Sequence, residues 1–80
     1  MVIMKNIERK GNTISCDFFP CFSKAAGSLT LDLVSEKVIH SFLPEEIANC
    51  AESSRQVIAR LIQIQNQPIF QDVEMIVELD

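Results

Sequence analysis

Tryptophan and tyrosine are both missing from this chain, and with them go the stacking platforms on which single-stranded nucleic-acid modules lay successive bases. Glycine occurs only at Gly11 and Gly27, so no glycine-rich loop precedes a helix to cradle phosphate. No serine stands in a G-x-S-x-G turn. Basic residues are also few, seven against eleven acidic ones, for a net charge of -4. Attraction to phosphate is the largest sequence-independent term in nucleic-acid binding, so this balance argues against DNA or RNA as the partner. Lys5, Arg9 and Lys10 form a small basic cluster that reads as a solvated hairpin end.

No apolar run approaches the roughly 18 residues a membrane span needs. The opening MVIMKNIERKG is too short and too charged for a signal peptide. Cys16, Cys21 and Cys50 make an odd set without paired spacing, which suits reduced thiols in a cytoplasmic protein better than a secreted disulfide scaffold. The expectation is a cytoplasmic protein with no membrane association.

What the chain does have is the composition of a folded domain, with 48% apolar and 22% charged residues. Eighty residues have room for one core, giving a single domain over residues 1–80 with a stability of roughly 4 to 12 kcal/mol. Residues 2–9 read as a strand, Lys10-Gly11-Asn12 as a turn, and residues 13–19 as a second strand with Ile14, Cys16 and Phe18 on one face. A two-residue turn places Ile3 and Ile7 on that face; a three-residue turn with a bulge replaces them with Met4 and Asn6. Pro20 ends the second strand, and the loop from 21 to 27 closes on a glycine free to take positive φ.

Leu29, Leu31 and Leu33 then alternate with polar residues, and Val38, His40 and Phe42 return beyond Ser35-Glu36. A tight turn at Ser35-Glu36 sets Leu33 opposite Val38, Leu31 opposite His40 and Leu29 opposite Phe42. Pro44, Glu45 and Glu46 suit a helix start, and the spacing predicts a helix over residues 46–65. Ile47, Ala51, Val57, Ile58, Leu61 and Ile62 form its buried face, and Asn66 is its left-handed stop. Val73, Met75, Val77 and Leu79 mark a fifth strand. A helical crossover brings that strand antiparallel to the first. The architecture expected is α+β, an antiparallel four-stranded meander with one helix on one face and a C-terminal fifth strand, in the order 5-1-2-3-4.

The stretch from Gly11 to Pro20, with Gly27 and the strand from Leu29 to Leu33 around Asp32, resembles small uncharacterised proteins of Gram-positive bacterial genomes and mobile elements. The resemblance implies the same meander, helix and short last strand, and implies no activity. Their aromatic C-terminus is replaced here by Val77-Glu78-Leu79-Asp80.

Chemistry-bearing residues are sparse. Cys16, Cys21, Cys50 and His40 equal a zinc ligand set in number but lack the close C-x-x-C pairing, so no metal or other cofactor is assigned. His40, placed between leucines, reads as a core imidazole rather than a catalytic base. Asp17 and Asp32 lie on adjacent strands pointing away from the helix, as solvated sheet-face acids. No catalytic constellation emerges, and no enzymatic activity is expected. The leading reading is an interaction or accessory protein working through its open sheet face, its edge strand or a homodimer. Ile39, Phe19 and Val34 are its candidate exposed apolar residues. The alternative is a small-ligand or metal-binding protein centred on His40 and the cysteines.

Overall fold

The structure is a computed structural model and describes residues 1–20 and 23–77. Its elements run β1 (Val2–Lys10), β2 (Thr13–Pro20), β3 (Gly27–Asp32), β4 (Lys37–Phe42), a 3-10 turn (Glu45–Ile47), α1 (Ala51–Ile64) and β5 (Val73–Ile76). The five strands form one antiparallel sheet in the order β4-β3-β2-β1-β5, as the sequence predicts. Helix α1 lies on one face, chiefly over β1, β2 and β5.

Strands β2 and β3 alternate cleanly. Ile14, Cys16, Phe18, Leu29 and Leu31 are buried beneath Val57, Leu61 and Ile64 of the helix. Gly27 stands opposite Phe18, and a Cβ there would meet the ring at 2.7 Å. Its φ is not positive, so what the site requires is the missing side chain rather than the turn geometry expected from the sequence.

Strand β1 reconciles two alternatives that the sequence presents as exclusive. The turn has two residues, with Gly11 at φ 57° and Lys10 paired with Thr13. A bulge between Lys5 and Glu8, with Asn6 at φ 56°, then shifts the register by one. Ile7 therefore stays on the core side while Val2 and Met4, not Ile3, fill the far end. Ile3 turns to the bare face, opposite Phe19.

Hairpin β3–β4 departs further from expectation. The turn spans residues 33–36 rather than two, with Glu36 at φ 58° and the Asp32 Oδ1 accepting the Val34 and Ser35 amides at 2.8 and 3.4 Å. A second bulge, at Ile39, moves the register again. Val38 faces Leu31, His40 faces Thr30, Ser41 faces Leu29 and Phe42 faces Ser28. Each of the three expected pairs is replaced. His40 is exposed on the bare face, and no residue of β4 is buried.

The α-helix starts at Ala51, later than expected, because Pro44 begins a separate 3-10 turn whose Ile47 is buried. Val57 and Leu61 are buried as expected, Ile58 and Ile62 are half-buried, and the side chain of Ala51 is not described. Ile64 and the small Ser53 join the buried face. The helix ends without a left-handed residue: Arg9 Nη1 donates to the Gln65 carbonyl at 2.8 Å and to Asn66 Oδ1 at 3.3 Å. The Gln65 side chain donates to the Ile62 carbonyl at 3.0 Å, an acceptor that a left-handed cap would otherwise cover, and the Arg9 guanidinium lies at the negative end of the helix.

Candidate interaction surface

Because one helix covers one face, every second side chain of the sheet projects from the other. Along the end nearest Val2, Met75, Ile3 and Phe19 stand in register across β5, β1 and β2. In the next row Val73, Lys5, Asp17, Ser28 and Phe42 cross all five strands. The Lys5 ammonium lies 5.4 Å from the centre of the Phe19 ring, a cation over an aromatic face. Farther along, Asn6, Glu8, Ser15, Asp17, Ser28 and Thr30 line a shallow depression of about 300 Å³. There the Asn6 amide donates to Asp17 Oδ2 at 2.8 Å. The left-handed Asn6 of the β1 bulge thus aims its side chain at the bare face.

The exposed large apolar residues among those described fall in two groups, one on β4 and the turn before it, the other on β5 and the segments that flank it. One group is Val34, Val38, Ile39 and Phe42, and the other is Ile69, Val73, Met75 and Val77. Val34 is the most open of the first group at 77%, and Ile39 and Phe42 are each 58% exposed. Phe19, expected to be exposed with Ile39 and Val34, is half-buried, one row from Phe42 and at the far end of the strands from Val34. The apolar corner of Ile3, Val73 and Met75 is absent from the sequence-based expectation. Its signal is the apolar run Val2-Ile3-Met4, which is apolar at both alternating positions and hence on both faces.

The remaining predicted sites separate. Cys16 points into the core, where burial, with the Asp17 carboxylate adding to it, pushes the thiol up to about 12. His40 is on the opposite side of the sheet, so Cys16 and His40 cannot share a metal ion. Cys50 is half-buried at the start of α1, and Cys21 lies outside the described residues. Among the described residues no three His, Cys, Asp or Glu side chains gather as a metal site. Asp17 and Asp32 both project from the bare face, yet they sit four ladder positions apart, roughly 13 Å along the strands. Asp32 caps its turn and Asp17 binds Asn6, so neither is held beside the other.

The basic cluster is likewise dispersed. Arg9 caps the helix on the covered side, Lys5 lies over Phe19, and Lys10 meets Glu8 at 3.3 Å. Comparison with protein-family models, curated proteins and solved structures finds no match to this chain. No helix among the described residues is long and apolar enough to cross a membrane.

Proposed function

We propose that the protein is an interaction or accessory module that binds a protein partner through the bare side of its sheet. The observation supporting this reading is the apolar content of that side: exposed Met75 stands in register with half-buried Ile3 and Phe19, and exposed Val73 and Phe42 end the next row. An odd cysteine count and a thiol buried in the core suit a reducing, cytoplasmic compartment. The separation of Cys16 from His40 favours this reading over the metal-binding one. A photo-crosslinking residue placed in living cells at Phe19, Met75 or the exposed helix position Gln63 tests it. A cross-linked species of one defined mass from both Phe19 and Met75, and none from Gln63, is expected. Equal labelling from Gln63 overturns the reading.

A further inference from the structure

A chain of net charge -4 resists close approach of its own copies, yet that charge is unevenly placed. On the bare face of the ladders Lys5, Lys10 and Lys37 are matched by Glu8, Asp17 and Asp32. The excess acid therefore belongs to the rest of the molecule. The one face left uncovered by the helix is also the one on which two copies repel least.

The arrangement inside that face is self-complementary. Ile3 pairs with Phe19 and Lys5 with Asp17, two adjacent rows shared by the same two strands. A two-fold axis running along the strands between β1 and β2 lays β1 of one copy over β2 of the other. Ile3 then meets the other copy's Phe19, and Lys5 meets its Asp17, each contact occurring twice as an isologous interface requires. The same axis carries β5 of one copy over β3 of the other, where Val73, 44% exposed, meets the other copy's Ser28 beside the Lys5–Asp17 contact. We propose that a second copy of this chain packs face to face on this corner, through Ile3 and Phe19 with the Lys5–Asp17 pairs beside them and Val73 at the margin over Ser28. This rests on the interaction reading above and names its partner.

The alternative of pairing through the β4 edge is opposed by the edge itself. The bulge at Ile39 interrupts its ladder and Lys37 guards its start, both devices that blunt edge pairing. The apolar corner is smaller than the roughly 800 Å² per partner of a standard stable interface, so the dimer is weak and concentration-dependent.

Sedimentation of the parent over a range up to high micromolar concentration, with circular dichroism to confirm folding, provides the test. The parent associates, whereas Lys5→Asp and Asp17→Lys each associate at least roughly tenfold more weakly, because like charges then face each other. Mixing the two variants restores association. One copy then carries carboxylates at both positions and the other carries ammonium groups at both, so every charged contact across the axis joins opposite signs; repair within one chain cannot produce this result. Ile39→Lys leaves association unchanged. A parent that stays monomeric throughout overturns the proposal, leaving the interaction reading to its own cross-linking test. So does an inert mixture, or loss of association in Ile39→Lys, which would assign the contact to the edge. Should a charge variant fail to fold, Val73→Glu decides at an exposed position, since it sets a carboxylate over Ser28 and beside Asp17 of the other copy: loss of the dimer supports the proposal and its retention overturns it.

Discussion

The two edge strands of this sheet are held in opposite ways. Strand β5 has four residues, yet Ile76 is buried against the core and Glu74 forms a half-buried ion pair with Arg60 of the helix. Strand β4 has six residues and buries none of them, so it is held mainly by its ladder with β3. Strand length thus says little about anchoring. What decides is whether the helix reaches the strand, and α1 sits toward the β5 side. Local stability should be graded across the sheet accordingly, with β4 opening before the core strands.

The largest test of that gradient compares a side chain under the helix with one on the free edge. Leu61 is fully buried, and Leu61→Ala should cost about 2 to 5 kcal/mol, a large part of the total. Phe42→Ala, at 58% exposure, should stay within about 0.5 kcal/mol. Chemical denaturation of both variants checks the contrast, and equal losses would mean that β4 is anchored after all. Ile58, half-buried, should fall between them.

The next effect is confined to the covered side and appears only in alkali. The folded Cys16 thiol lies at about 12 against an ordinary 9.0, because burial penalises the thiolate. Above pH 9 the unfolded chain loses this proton while the folded chain keeps it, so stability falls as pH rises from 9 towards 12. The loss reaches roughly 3 to 4 kcal/mol at the upper end. Below pH 9 the contribution is fully present. No tyrosine titrates in this window, so the alkaline limb is free of phenol ionisation. Melting curves of the parent and of Cys16→Ala should converge in stability as pH climbs, and parallel curves would refute the assignment.

The strand order and the crossover are legible in the sequence because they depend on element type and sequence order alone. Both hairpin registers are not, and for one physical reason: each contains a bulge, which adds a residue without changing the alternation a reader counts. In β1 the spacing from Met4 to Ile7 on the core side is the trace of that insertion, with Asn6 able to take the left-handed conformation. In β4 nothing comparable marks Ile39, since the strand is apolar on both parities and neither face is buried enough to choose. His40, a core residue by alternation, consequently belongs to solvent. The interaction corner is half visible, because alternation alone turns Phe19 away from the helix while its partners depend on the β1 bulge and on the face of β5. Ser53, on the polar side by residue type, is nonetheless buried.

A smaller loss should separate the edges directly. Arg60→Gln removes the cation from a Glu74 carboxylate whose side chain is only 14% exposed, at a cost of about 1 to 3 kcal/mol. Amide exchange at residues 73–76 should accelerate while that of β4 stays as in the parent. Acceleration in both strands would show that the ion pair supports the whole sheet. The double substitution Arg60→Met with Glu74→Met should recover most of the loss, because it leaves no charge unpaired.

The smallest expected effect is a gain, and it sits on the free edge. Glu36 holds φ 58° in the turn before β4, a conformation that costs a side-chain-bearing residue about 1 to 2 kcal/mol and costs glycine little. Its side chain is exposed, so substitution removes strain without opening the core. Glu36→Gly should therefore raise stability, by no more than about 1 kcal/mol once the greater chain entropy of glycine in the unfolded state is set against it. The same change at Lys37, the first ladder residue, offers no strain to relieve and should destabilise. If Glu36→Gly and Lys37→Gly lower the melting temperature equally, the turn is not strained at residue 36, and the wider loop rather than this residue sets the register of β4.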